Sequence, residues 1–502
     1  MKLRERLISN ATYLVLDWVL AAFLAYIFWS LLGKTITKEQ LGIVSTSINF
    51  IILVSWLAGI GISTALTKIV PEIVKKKGVK SLSPIVRLSI KPLAISLVSI
   101  LSIIIFTSSY ISNFLNLPLN VIFVCTPSIL CISLFSFFGS ILYGLQKMKK
   151  YFLTNFFQIL IRVLLVVPLI FVGLSYFGPL IAFCIGYLTL TFFRIDFNYF
   201  KSSNKFFTYK KLFSYAFPAL ITSLATSLIS NSPYIILNSI KNAAITGIFT
   251  IAFVISSPIA VLINVLTSAL FPTISELSAD HTTKHRQSYL IGLLVRYSML
   301  IVIPLSILLI VFSKHVVLIF SSVEYLESAL YFPILIPAAI LFGIGGIFNS
   351  NLYAIGKPKL QRNITIITAL FFLLTSIFLT SFFPKAGGMA FAYLATMFLF
   401  FTLNLWYIRK FLKINFFTND IFKIFFSNFL ITLVLLFVCN LASSILMVAL
   451  VSIVYSIAYL LILWLFKFYR MEDIKVIEFF GKRFPLIGKY FFILTNFLRK
   501  KL

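Results

Sequence analysis

The chain of 502 residues is 60% hydrophobic and 17% aromatic with a mean hydropathy of +1.05, which leaves too little polar surface to coat a soluble globule. Its formal charge of +30 would suggest nucleic acid in a soluble protein, but the placement of the charges gives them another role. The apolar runs are continuous over roughly 20 residues instead of alternating, the pattern of spanning helices and not of a β-barrel.

Fourteen spans are predicted, at 9–33, 41–67, 85–109, 119–144, 151–173, 177–200, 211–238, 245–271, 288–312, 328–353, 362–383, 388–408, 421–442 and 443–466. Lys and Arg concentrate in the N-terminal segment, in the loops that follow even-numbered spans and in the C-terminal tail. The opposite loops hold only Lys34, Lys38, Lys241, Lys314 and Lys385. The positive-inside rule then places both termini in the cytoplasm of a multi-pass cell-membrane protein. Attraction to anionic headgroups, about 1 kcal/mol per basic residue, accounts for the charge, and no nucleic-acid partner is expected. Lys2, Arg4 and Arg6 before the first apolar run resemble a signal peptide, but the run is long and lacks a small-residue cleavage site, so it reads as a retained helix. Cys125, Cys131, Cys184 and Cys439 all fall within spans, and no disulfide framework is expected.

Span 1 carries Asn10, Asp17 and Trp18. A carboxylate inside a span costs about 2.5 to 3.5 kcal/mol on insertion scales, so Asp17 must face protein or water, as a site residue or as half of a structural ion pair. Span 2 presents Ser45, Asn49, Trp56, Gly59, Gly61, Ser63, Thr64 and Thr67, which serve close helix packing or line a cavity. Lys91 in span 3 can snorkel to the inner interface, and Arg296 holds the corresponding place in span 9; the two either snorkel or form the cytoplasmic mouth of a central cavity. Span 5 sets Asn155, Gln158 and Arg162 on one helical face. Arg162 lies too deep to be interfacial and reads as a ligand or gating cation, or as a buried structural ion pair with Asp17 as its partner.

Span 7 shows Ser223, Thr226, Ser227, Ser230, Asn231 and Ser232 before Pro233; these line a water-filled path or satisfy their own backbone. Span 8 adds a Ser256-Ser257-Pro258 kink and Asn264. His281 and His285 lack a third ligand and read as ordinary loop histidines, so neither a metal nor a cofactor is expected. Spans 13 and 14 are nearly free of polar residues and face lipid or a partner. The basic tail from Met471 suits an interfacial segment.

Only 13 Asp and Glu occur, with no acidic pair in an outside loop and no phosphate-binding loop, so neither an enzyme nor direct ATP drive is expected. The chain does repeat itself. Ser63-Thr64-Ala65-Leu66 with Pro71-Glu72-Ile73 returns about 204 residues later as Thr267-Ser268-Ala269-Leu270 with Glu276-Leu277, and repeated halves are the architecture of secondary transporters.

Leu41-Gly42, Pro71-Glu72, Gly247-Ile248-Phe249, Phe271-Pro272 with Ser275-Glu276-Leu277, Pro304-Leu305, Leu318-Ile319-Phe320 with Tyr325, and Ala354-Ile355-Gly356-Lys357 occur in that order. On these motifs the chain resembles, over essentially its whole length, the polysaccharide-transporter and O-antigen flippase branch of the multidrug/oligosaccharidyl-lipid/polysaccharide (MOP) exporter superfamily. The resemblance implies an all-α polytopic fold with two pseudo-symmetric six-helix lobes, 1–205 and 206–412, around a cavity lined by helices 1, 2, 7 and 8. Helices 13 and 14 follow in 413–470, then the tail 471–502. It further implies a flippase that moves a polyprenyl-diphosphate-linked oligosaccharide to the outer leaflet for cell-surface polysaccharide or glycoprotein assembly. Membrane lipids and glycosyltransferases or a polymerase of the pathway are the implied partners.

The chain departs from the pattern at Asn231-Ser232-Pro233, where many relatives have an acidic residue, and helices 1, 2, 7 and 8 lack a deep arginine. Charge for a diphosphate must then come from Arg162, Lys91 or Arg296, and the candidate site comprises Asp17, Asn49, Lys91, Arg162, Ser230, Asn231, Asn264 and Arg296. Two other readings stay open: a cation-coupled multidrug or metabolite antiporter with Asp17 as coupling acid, and a non-transporting scaffold or glycosyltransferase of an envelope-glycan complex.

Overall fold

A computed structural model describes residues 2–78, 82–196, 208–278, 284–414, 416–438, 444–470 and 473, without the side chains of 2–9, 11, 77, 269–278, 284 and 438. The expectations for His281, Cys439, most of the inter-lobe segment, the side chains of the Phe271 to Leu277 corner and nearly all of the tail lie outside the described residues. The described residues hold helices and no strands.

Fourteen helices are long and apolar enough to cross a membrane, one for each expected span. The first seven are α1 Thr12–Thr35, α2 Lys38–Ala58, α3 Leu82–Phe106, α4 Leu119–Gly144, α5 Met148–Leu174, α6 Phe177–Arg194 and α7 Tyr209–Ile240. The second seven are α8 Ala243–Ser268, α9 His285–Val311, α10 Val323–Ala354, α11 Pro358–Phe382, α12 Gly387–Phe411, α13 Thr418–Phe437 and α14 Ile445–Leu465. The protein is a polytopic helical membrane protein.

Local chemistry explains where the helices depart from the expected spans. The second span, expected to run to residue 67, stops at Ala58 because Ile60 (φ 45) and Gly61 (φ 68) turn the chain before a separate helix, Ile62–Lys77. Gly61 is required there twice over: its backbone is left-handed, and a Cβ on it would lie 2.1 Å from the Ala216 carbonyl oxygen of α7. In α7 Pro218 and Pro233 do not break the helix, which runs from Tyr209 to Ile240. The break at Ser256-Ser257-Pro258 does occur, dividing α8 into Ala243–Ser256 and a helix that begins at Pro258.

Packing sorts the chain into two compact units, Met1–Ala279 with Val317–Phe411 and Asp280–Val316 with Leu412–Leu502. The first holds α1–α8 and α10–α12; the second holds α9, α13 and α14. The lobe boundaries drawn at 205/206 and 412/413 follow the sequence repeat, whereas packing sets α9 with the two C-terminal helices.

Within the first unit α2 packs on both α7 and α8. Its contact with α8 is built from the Leu41-Gly42 and Gly247-Ile248 motifs, and it is reciprocal. A Cβ on Gly42 would fall 1.8 Å from the Ala243 carbonyl oxygen, and one on Gly247 would fall 2.0 Å from that of Lys38. Each glycine thus admits the backbone one turn before the other. One turn further on, Thr250 Oγ1 lies 2.9 Å from Ser45 Oγ, 205 residues away in sequence. Small residues at such crossings let helices approach closely in lipid, where no hydrophobic drive brings them together.

In the second unit, α9 packs on α13 and α14. Tyr455 of α14 donates to Asn428 Oδ1 of α13 at 2.7 Å, and Tyr459 donates to the Leu300 carbonyl of α9 at 3.1 Å.

Candidate functional site

Helices α1, α4, α5 and α6 enclose a connected polar group. Asn155 Nδ2 of α5 donates to both Asp17 carboxylate oxygens of α1, at 3.1 and 3.0 Å, while Asn155 Oδ1 accepts from the Arg194 guanidinium of α6. Asn155 therefore relays between an acid and a base that make no direct ion pair. Arg194, only 2% exposed, spends its other donors on Thr154 Oγ1 at 2.9 Å and the Phe135 carbonyl at 2.8 Å, and its Cζ lies 3.4 Å from the Phe135 ring centroid. Gly139 makes the space, since a Cβ there would fall 2.1 Å from Arg194 Nη1. With every nitrogen of the guanidinium hydrogen-bonded, Arg194 and Asp17 form a structural bridge across the helices through Asn155.

Arg162 is not the partner of Asp17. One turn beyond Gln158 on the same face of α5, its Cζ sits 4.4 Å from the Phe28 ring of α1 and 5.4 Å from the Phe183 ring of α6. Among the described residues no carboxylate pairs with it, and its Nε makes no hydrogen bond. Gln158 Nε2 is likewise buried without a partner. The Asn155-Gln158-Arg162 face thus divides into one satisfied residue and two that hold unspent donors at membrane depth. Aromatic faces stabilise a guanidinium by only about 0.5 to 2 kcal/mol, much less than an anion would, so this pair is the part of the lobe best suited to receive one.

The remaining candidates separate from this group. Asn49 and Asn231 are buried and donate to carbonyls of their own helices, Ser45 and Ser227, at 2.7 and 3.0 Å, as small polar residues in spans often do. Ser230 and Lys91 are exposed. Asn264 faces α10, with its Oδ1 3.3 Å from where a Gly346 Cβ would be. A chain of amides that sequence reasoning did not single out joins α10, α11 and α12, running from Gln361 to Asn349 to Asn404 at 2.9 Å each.

Arg296 corresponds to Lys91 in the repeat but not in its surroundings. It is fully buried in the second unit, donating to both oxygens of Asp473 at 2.7 and 2.8 Å and to the Phe468 carbonyl at 3.2 Å. Its Nε lies 2.8 Å from Asp420 Oδ2, a charge contact without an aligned hydrogen bond. Asp420 also pairs with Arg470 at 2.7 Å, and Tyr297 donates to Asp473 at 2.7 Å. Burial works against ionisation of Asp473, yet hydrogen bonds from Arg296, Tyr297 and the Arg470 amide outweigh it and hold the carboxyl below its ordinary value. Two acids and two bases neutralise one another, so Arg296 has no charge left for a cavity ligand.

A solved structure described as the lipid II flippase MurJ in an inward closed conformation superposes with a TM-score of 0.70 at 17% identity, covering 91% of this chain and 98% of that one. A multidrug resistance MATE family transporter of the MOP superfamily, inward-facing, gives 0.60 at 13% identity over 79% of this chain and 94% of its own. The chain therefore shares its fold with both of these transporters. The uncharacterized membrane protein MJ1068 of Methanocaldococcus jannaschii is 25% identical over 454 residues, 83% of this chain and 86% of that relative. A family model described as "Polysaccharide biosynthesis protein" matches residues 7–278, and the chain belongs to that family.

Proposed function

We propose that the chain is a flippase that moves a polyprenyl-diphosphate-linked oligosaccharide from the cytoplasmic to the outer leaflet by alternating access, with both termini in the cytoplasm. Membership of a polysaccharide biosynthesis family and a fold shared with a lipid flippase support this reading. The asymmetric distribution of Lys and Arg supports the orientation.

The observation that carries the proposal is Arg162, a half-buried residue in mid-helix whose Nε is buried without a hydrogen bond and which has no carboxylate partner among the described residues. A cation kept unpaired at that depth is costly, and a passing diphosphate offsets the cost. With the inside negative, moving a charge of about −2 outward gains roughly 4.6 kcal/mol per 100 mV, enough to drive the flip without ATP.

The test is a reconstituted vesicle assay with a fluorescent polyprenyl-diphosphate oligosaccharide. Arg162→Leu is expected to reduce flipping at least tenfold while the protein stays folded. Flipping at the wild-type rate in that variant removes Arg162 from the mechanism. A wild-type protein that ignores the glycolipid but exchanges small organic cations for protons is an antiporter instead.

A further inference from the structure

We propose that the hollow between the start of α1 and the α4–α5 turn, together with the groove between α5 and α6, is a binding site for a single-chain polyprenyl phosphate of the inner leaflet. The inference rests on the flippase reading for its biological sense and on the proposed orientation for its leaflet, but the binding site can be tested without any transport.

Two concavities meet on this face. The first, about 520 Å³, is walled by Asn10 and Tyr13 of the N-terminal helix and by Gln146, Lys147, Lys149 and Lys150. The second, about 550 Å³, is almost wholly apolar and is formed by Phe157 and Ile161 of α5 with Leu190 and Phe193 of α6. Lys150 and Leu153 line both. A cationic basin therefore opens into an apolar trough, the complement of an amphiphile with an anionic head and a hydrocarbon tail.

Each end of the site has its own chemical logic. Lys149 and Lys150 are exposed, and no carboxylate of the described residues pairs with either. The left-handed Gln146 (φ 57) turns the chain sharply out of α4, and no side chain caps the start of α5. The start of α5 thus forms part of the wall of the same basin as the lysines, and a helix N-terminus adds positive potential for a phosphate. At the other end, Phe157 and Phe193 are 44% and 67% exposed, so the trough faces lipid and needs no portal.

The trough is one channel between two helices. It fits one chain, which favours a polyisoprenoid over a two-chain phospholipid. Its floor includes Thr154, which also accepts from Arg194 in the relay to Asp17, so an occupant lies against the structural bridge of the lobe. Such a site would collect the lipid carrier at the inner leaflet before the glycan enters the transport path.

The experiment uses the full chain in nanodiscs with a photoreactive polyprenyl monophosphate, followed by peptide mapping of the adducts. Adducts are expected on the segment from Leu153 to Ile161 and around Phe193. Unlabelled polyprenyl phosphate should compete at least tenfold better than phosphatidylglycerol or inorganic pyrophosphate. The double variant Lys149→Glu with Lys150→Glu should lower labelling at least tenfold, and Phe193→Ala should lower it several-fold, with both eluting as monodisperse protein.

Equal competition by phosphatidylglycerol makes the groove an ordinary boundary-lipid site and overturns the proposal. Full competition by pyrophosphate overturns the role of the trough. Undiminished labelling in the double lysine variant overturns the role of the basin. Labelling that meets every expectation in a protein that does not flip the glycolipid upholds this site and refutes the flippase reading alone.

Discussion

Thr250 and Ser45 share a hydrogen bond of 2.9 Å between α8 and α2 although 205 residues separate them, and Gly42 and Gly247, at the same separation, each admit the other helix's backbone one turn away. The pairing places the repeat on a local two-fold relation that the two glycines make possible. Gly42→Leu or Gly247→Leu is expected to cost at least the 1 to 3 kcal/mol typical of overpacking, since the atom in the way is backbone and cannot rotate aside. Each variant should lower the thermal unfolding midpoint by a similar amount, and a cysteine placed at Thr246 should become reactive in both. A leucine at Gly42 that leaves both readouts unchanged would show that the helices do not meet in this way.

The Asp17–Asn155–Arg194 relay predicts its own coupling. Asn155→Leu strips one charged hydrogen bond from Arg194 and both from Asp17, at about 1.5 to 3 kcal/mol for a charge-assisted bond. Gly139→Ala attacks the same group from α4 by driving a methyl into Nη1. Because both act through one guanidinium, the double variant should lose clearly less stability than the two singles added together. Thermal unfolding in detergent measures this, and simple additivity refutes the shared mechanism.

The spans were legible in the sequence because a run of apolar residues long enough to cross a bilayer has few other meanings, and all fourteen became helices. The partners of the charged residues were not. Arg162 and Asp17 looked like a pair because both are rare deep charges, but pairing depends on how each helix is rotated about its axis, and the apolar pattern of a helix wetted by lipid fixes that rotation poorly. Arg194 falls inside the predicted span 177–200 without standing out there, and the one available signal is its place a single turn beyond Leu190 on an apolar run. Arg296 finds Asp473 across 177 residues, a separation that no local pattern reports. Asn49 and Asn231 looked like cavity residues because a helix sequence does not tell an amide turned to its own backbone from one turned to solvent.

The Arg296 cluster predicts a dependence on acidity. The folded value of Asp473 lies below its ordinary 3.8, so the stabilisation is complete above the unfolded value and is lost as the pH falls through the folded one. The contact of α9 with α13 and α14 should therefore hold at neutral pH and loosen in acid below 3.8. Arg296→Met leaves Asp420 and Asp473 buried with less compensation and is expected to cost about 3 to 5 kcal/mol at neutral pH. Thiol accessibility of a cysteine introduced at Ser427, followed against pH, reads the change. Asp473→Asn should flatten the acid limb, and an unaltered limb assigns it to other carboxylates.

Arg162 should behave in the opposite sense. Removing one member of a satisfied buried pair destabilises, but removing a half-buried cation that has no carboxylate partner among the described residues relieves a desolvation cost and leaves no orphaned acid behind. Arg162→Leu is therefore expected to raise the thermal midpoint or leave it unchanged, in contrast to Asn155→Leu seven residues away on the same face. Arg162→Lys should keep the charge but lose the planar contact with Phe28 and Phe183 and the fork that meets two phosphate oxygens at once. Its stability should stay near that of the wild type while glycolipid flipping falls. A fall in the midpoint of Arg162→Leu as large as that of Asn155→Leu would mean that Arg162 has a structural partner, and its proposed role in meeting a diphosphate would go with it.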